Sequence, residues 1–419
     1  MDKIPPLSQE FFDFIDKNKN IDVLSLYLNS KNKSSETDFA ILQIESRKKH
    51  KEKLARFLQE REFLFPDKLS GEQASHQAVA AYHAYLFGKN VSLLDMTAGL
   101  GIDVMTAAPD FKEVTAIELD PGRYEALQHN SNVLHLNNIT CINGDSVDFL
   151  KSTDKNFDII FIDPARRDSS NKRLYGLKDC LPDVTALQDL MITKSRRIFI
   201  KASPMLDITK VISELKNICS ISAIGVKGEC KEILIEIDSL QATNTPNAGL
   251  SSSSDIQKSA ITLNSVNLDI EGNIINSFSK PYLPEHKQEI RYCSSDMVKP
   301  GSFILEPSAM TMKIAPWESI SNSFNACKLD KSSHLFISEE KPVGFPGRVS
   351  FVKGIINKEN RKSLERLPAS VISRNHPLSA DELRKKLKLK EGDSIFIYAT
   401  RIDGRPMLIQ SLSLSESVS

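Results

Sequence analysis

Four segments of this chain end an apolar run on a carboxylate. LLDMTAGLGID (93–103) carries a strand-like run to Asp95, then uses Gly99 and Gly101 for a tight turn before a helix begins near Ile102. IELDP closes a second run on Glu118, INGD a third on Asp145, and FIDPARRD (161–168) a fourth on Asp163. The chemistry differs from tip to tip. An acid in the Gly-rich turn repels a pyrophosphate and suits a ligand bearing an ammonium; the third glycine of a dinucleotide fingerprint is also missing, replaced by Val104. A carboxylate closing the second strand can accept from two neighbouring ribose hydroxyls, and Asp145 could accept from an exocyclic adenine amine. At the fourth tip Pro164 caps the strand and biases Asp163 toward extended backbone, so that its carboxylate emerges at the strand's carboxyl edge. One such ending is common. Four in succession, at the edge where open α/β sheets bind ligands, describe a site.

The elements that must position them follow from periodicity. Runs at 91–96, 113–119, 139–143, 157–162, 196–201, 221–226 and 231–237 alternate with polar helical stretches, the pattern of a parallel sheet with crossover helices. A further strand is expected at 260–268, after a Ser-rich loop (239–259) joining antiparallel neighbours. Residues 7–64 read as helical, with a capping box at Ser35 and Asp38; the basic run RKKHKEKLAR (47–56) reads as a wet helix face with phosphate contact as the alternative. Beyond residue 278 the elements shorten to a strand at 302–307, a helix at 308–317 and a strand at 334–339. The last stretch offers a strand at 369–375, a helix at 379–389 opened by Ser379 and Glu382, and a hairpin turning at Asp403-Gly404.

At 419 residues the chain is long enough for two to four domains. Net charge is zero, but residues 343–419 hold 14 Lys and Arg against 8 Asp and Glu, a net +6 that hints at a polyanionic partner. The amino terminus fits neither a signal nor a transit peptide, and no apolar run approaches the ~20 residues of a membrane span. A cytoplasmic protein with no membrane partner is expected. The cysteines (Cys141, Cys180, Cys219, Cys230, Cys293, Cys327) stand far apart without a CxxC pair, and the eight histidines are scattered. Reduced thiols and no metal site are the expectation, with Cys180 a buried structural thiol.

The series Asp95-x-x-x-Gly99-x-Gly101, Glu118, Gly144-Asp145-Ser146 and Asp163-Pro164-Ala165-Arg166 resembles the motifs of class I S-adenosylmethionine-dependent methyltransferases over about residues 73–240. More narrowly, EQAS (72–75), DPARR (163–167), KASPMLD (201–207) and GECKE (228–232), with LEPSAM (305–310), FPGRV (345–349) and RNHPLSADELRKKL (374–387), resemble a bacterial family of RNA methyltransferase-like proteins with ferredoxin-like and THUMP-like carboxyl-terminal domains. The resemblance implies an α/β fold: a helical region over 1–72, a Rossmann-like methyltransferase sheet over 73–277, and two small α+β domains over 278–342 and 343–419. It implies S-adenosylmethionine held by Gln73, Ser75, Asp95, Thr97, Gly99, Gly101, Glu118, Asp145 and Asp163. Asp163, Pro164 and Arg166 would act at the acceptor. Arg166, Arg167, Lys201, Arg384, Lys385 and Lys386 would contact a tRNA or rRNA substrate. The motif departs from the Asn/Asp-Pro-Pro-aromatic sequence of many nucleic-acid amino methyltransferases: Ala165 stands for the second proline and Arg166 for the stacking ring. Transfer to protein or a small molecule, and donor binding without transfer, are the rival readings.

Overall fold

The structure, a computed structural model, describes residues 4–29, 34–166, 176–240, 261–284 and 287–414. The chain forms two compact units, Met1–Ile261 with Asn267–Ile275, and Thr262–Val266 with Asn276–Ser419.

In the first unit the amino-terminal region is a set of short helices: α1 (Gln9–Asn18), α2 (Val23–Asn29) and α3 (Ser35–Lys49), which bury Phe11, Phe12 and Ile15 with Phe39, Ile41 and Ile44. The cap of α3 is Ser34 rather than Ser35: Ser34 is extended, and its hydroxyl accepts from the Thr37 amide at 3.1 Å. The basic run is not one wet face. Arg47 turns inward and donates to the carbonyls of Leu58, Glu60, Arg61 and Phe63, the last two at 2.7 Å, supplying acceptors' partners to a chain that has left helical geometry. The same strap is clamped by two side-chain amides: Gln43 exchanges hydrogen bonds with the backbone of Phe65, and Asn130 with that of Leu64. Two further helices follow, α4 (Lys68–Gln73) and α5 (Gln77–Phe87).

The sheet strands are β1 (Ser92–Asp95), β2 (Glu113–Glu118), β3 (Ile139–Asn143) and β4 (Phe157–Ile162), with helices α6 (Ile102–Ala107), α7 (Pro121–Val133) and α8 (Ser146–Ser152) between them. A two-residue ribbon, β5 (Ala165–Arg166) against β6 (Cys180–Leu181), leads to α9 (Val184–Lys194), β7 (Ser195–Ala202), α10 (Ile208–Glu214), β8 (Ile218–Val226) and β9 (Glu229–Asp238). Strand order runs β3-β2-β1-β4-β7-β9-β8. The first five are parallel and almost wholly apolar inside, as Leu94, Ile160 and Phe161 show, because helices cover both faces. The expected parallel sheet fails at its end: β9 runs antiparallel to both β7 and β8, since the turn at Lys227-Gly228 is too short for a crossover. Order reverses between β1 and β4, and a crevice opens at their carboxyl ends.

The chain passes to the second unit within β10 (Thr262–Leu268) and β11 (Ile274–Pro281). There β12 (Phe303–Pro307), β13 (Cys327–Lys328), β14 (Phe336–Ser338), β15 (Gly347–Ile355), β16 (Ser370–Ser373), β17 (Ile395–Ile402) and β18 (Arg405–Ser413) form one sheet, ordered β13-β14-β12-β15-β18-β17-β16. The helix expected over 308–317 is two, α11 (Ala309–Ile314) and α12 (Trp317–Ser323), because Ala315 turns left-handed before Pro316. The helix α13 (Ala380–Leu387) starts on the expected Ser379–Glu382 box, and the β17–β18 hairpin turns at Asp403 and Gly404, both at positive φ. One cysteine expectation is corrected: Cys293 and Cys327 form a disulfide with Cα atoms 5.3 Å apart, a pairing across 34 residues that no sequence spacing announced.

Candidate active site

The crevice between β1 and β4 is a cavity of about 980 Å³, at the upper end of the ~300 to 1,000 Å³ range of small-molecule sites. Every residue expected at the donor lines it: Gln73, Ser75, Asp95, Thr97, Gly99, Gly101, Glu118, Asp145 and Asp163. Strand endings dictate this, since four parallel neighbours deliver their tips to one rim.

Each tip is held in its own way. Asp95 is buried, and among the described residues its carboxylate accepts only the Thr97 amide, at 2.9 Å; burial pushes its pKa well above the usual carboxylate range. Thr97 ties the two strands that flank the switch point, its hydroxyl accepting from the Asp163 amide at 2.7 Å. Glu118 accepts from the Gly99 amide with one oxygen and the Asp120 amide with the other, at 2.8 and 2.9 Å, so the second strand's acid fixes the glycine turn while each oxygen keeps a lone pair. Gly99 and Gly101 take φ of 55° and 86°, and a Cβ at Gly101 would lie 2.2 Å from Leu127. Asp145 caps α8 through one oxygen, which accepts from Val147 and Asp148, and leaves the other oxygen to the cavity rim. Gln73 closes α4 on the same wall.

The Asp-Pro ending of β4 now has a structural reason. Pro164 releases the chain from the sheet into the β5–β6 ribbon, whose far strand brings Leu181, Pro182 and Asp183 to the cavity. Cys180, expected buried, is half-exposed on that ribbon. Arg166 lies on β5 by its backbone, and Arg167 falls outside the described residues. Lys201 does not stand open to a substrate phosphate. Its ammonium donates to Asp163 at 2.6 Å and to the Ser75 hydroxyl at 3.0 Å. Arg384 pairs with Glu391, while Lys385 and Lys386 are exposed on α13, in the second unit.

Three groups that sequence reasoning missed lie behind Lys201. Ser75 donates to Asp103 at 2.5 Å, Asp103 meets His83 Nδ1 at 2.8 Å, and His83 Nε2 meets Glu232 at 2.6 Å. Burial works against a charged His83, but Glu232 and Asp103 outweigh it and raise its pKa to about 10. Burial opposes charge on Lys201 too, yet Asp163, Glu232 and Asp103 hold it above the ordinary lysine range. Leu119, beside Glu118, and Leu181 are large apolar side chains left exposed at the cavity. The only sequence signals were a histidine inside the apolar stretch AAYHAYLF and an acid inside the strand KEILIEI.

Comparison with known proteins agrees with this architecture. Residues 73–218 match the family described as conserved hypothetical protein 95. Residues 303–346 match a ferredoxin-like domain, and residues 352–411 match a domain described as THUMP domain-like. The chain is 36% identical over 91 residues to an uncharacterized protein of Acanthamoeba polyphaga mimivirus. It is 38% identical over 82 residues to ribosomal RNA small subunit methyltransferase J of Francisella tularensis subsp. novicida. These matches cover 22% and 18% of this chain, and the chain spans about a third of the length of either relative, 36% and 34%. A crystal structure of a proposed methyltransferase from Porphyromonas gingivalis shares the fold over 97% of this chain and 98% of its own, with a TM-score of 0.83 at 24% identity. The fold is thus shared along nearly the whole chain.

Proposed function

We propose that the chain is an S-adenosylmethionine-dependent methyltransferase acting on a base of tRNA or rRNA. One observation carries the donor: nine residues expected at it converge on one cavity. The cavity's chemistry fits such a donor. Among the described residues the buried Asp95 carboxylate has one backbone partner, an arrangement that a cation completes. Glu118 retains acceptor capacity for vicinal hydroxyls, and Leu119 offers an apolar surface for an aromatic ring. Support for RNA comes from the rRNA methyltransferase among the relatives, the THUMP-like module, and the excess of basic residues over 343–419.

A bound donor supplies an electrophilic methyl group already activated by its sulfonium. The chain's task is alignment, and holding the acceptor in line can supply ~7 to 11 kcal/mol of the barrier. Asp163 accepts a hydrogen bond from the acceptor and takes its proton as transfer proceeds. Burial raises its pKa, which brings the carboxylate closer to the basicity that proton transfer near neutral pH favours. A cytoplasmic location suits this role; among the described residues no helix is long and apolar enough to cross a membrane.

The test is a mass-spectrometric comparison of RNA nucleosides from cells with the protein, without it, and with Asp163→Ala. The expected result is one methylated nucleoside that disappears in the last two, while the purified variant keeps its fold by circular dichroism. Identical nucleosides in all three, or methyl label that protease rather than ribonuclease removes, would overturn the RNA reading.

A further inference from the structure

The buried chain behind the cavity crosses elements far apart in sequence: β4 (Asp163), β7 (Lys201), the α4–α5 junction (Ser75), α6 (Asp103), α5 (His83) and β9 (Glu232). Its proton positions follow from valence. An ammonium only donates, so Ser75 accepts from Lys201 and its own proton goes to Asp103. Both nitrogens of His83 face carboxylate oxygens, which accept when ionised, so both carry hydrogen and the ring is an imidazolium. The donors are thereby fixed: His83 donates to both Glu232 and Asp103, Ser75 to Asp103, and Lys201 to both Ser75 and Asp163. Stability alone does not explain such a chain, because an apolar packing of equal volume can serve as well. Its end is what distinguishes it. The Asp163 side chain is 37% exposed and lines the cavity, Lys201 occupies one of its oxygens, and among the described residues nothing donates to the other.

We propose that Lys201 is the positioning residue of the reaction: it holds Asp163 by one oxygen so that the other meets the acceptor, and is itself held by Ser75, Asp103, His83 and Glu232. This rests on the methyl-transfer reading of the cavity. The ammonium also serves as a fixed counter-charge, so that Asp163 can be anionic among the acids that face it, Asp95 from β1, Asp103 from α6 and Glu232 from β9. Lys53 adds a second, half-buried cation on the Lys201 side, where it donates to the carbonyls of Gly71 and Glu72. A substrate phosphate has no claim on Lys201 in this arrangement.

The test follows Asp163 directly, by NMR titration of its side-chain carboxyl in the full-length protein, alongside the pH profile of kcat and donor affinity by calorimetry. Lys201→Met should raise the Asp163 midpoint by about one unit or more and move the acid limb of kcat the same way, while the donor Kd stays within roughly threefold. Lys201→Arg should restore the midpoint in part. Glu232→Gln removes a negative neighbour and should lower the midpoint, so the proposal remains testable if Lys201→Met does not fold. An unmoved midpoint in either variant, even with a lower melting temperature, would reduce the chain to scaffolding and overturn the proposal. Midpoints that shift as stated in a protein that methylates no RNA would leave the positioning role standing and remove the RNA reading instead.

Discussion

His83 offers a stability prediction whose size can be worked out. Its imidazolium sits wholly buried between Asp103 and Glu232, with a pKa raised from 6.5 to about 10. A group whose folded pKa lies above its unfolded value stabilises the fold fully below the unfolded pKa and loses that contribution as pH rises through the folded one. At about 1.36 kcal/mol per unit, the full contribution is on the order of 5 kcal/mol, and about half of it should vanish between about pH 7 and 9. Lys53, lowered to about 8 chiefly by burial and next by Lys201, titrates in the same window with the opposite sign. Its contribution is common to wild type and variant, so the difference between wild type and His83→Gln isolates the imidazole. Urea unfolding followed by circular dichroism at several pH values measures it, with Trp317 fluorescence reporting the second unit separately. Wild type should lose its advantage over His83→Gln as pH rises. A gap between the two that stays constant from pH 7 to 10 would refute the charged-histidine reading.

Two further outcomes follow from the cavity wall. Because burial keeps the Asp95 carboxyl protonated above its usual range, a cationic donor should bind with proton release and more tightly as pH rises; calorimetry in buffers of different ionisation enthalpy reads this, and Asp95→Asn should abolish the release and weaken binding roughly tenfold. Gly101→Ala should cost roughly 1–3 kcal/mol for its left-handed backbone and a similar amount for the collision with Leu127, whereas Gly99→Ala, with no neighbour nearer than 4.0 Å, should cost only the former. Equal melting temperatures for the two variants would contradict the packing drawn here.

The strand tips were legible because a carboxylate at the end of an apolar run is a local signal, and parallel neighbours then bring local signals together without further information. The capping box at Ser379 and the Asp403-Gly404 turn were legible for the same reason. What escaped is what depends on distant partners. His83 and Glu232 are 149 residues apart, and nothing near either announces the other. Lys201 looked open to the substrate because its partners, Asp163 and Ser75, lie 38 and 126 residues away in sequence. Arg47 looked wet within a basic run until the strap over residues 58–63 folded its carbonyls onto the guanidinium. The antiparallel return of β9 was signalled only by the four residues between the two runs, 227–230, too few for a crossover, because the apolar pattern itself is the same in either direction.

The sheet of the second unit interleaves two stretches that inheritance treats as separate. Strand β12, in the ferredoxin-like stretch, pairs along its length with β15, which continues into the THUMP-like stretch and pairs there with β18. A protein cut anywhere between Pro307 and Gly347 would leave each fragment with a bare row of amides and carbonyls along a hydrophobic strand, the template on which chains stick to one another. Neither stretch can be removed without exposing the strand edge of the other.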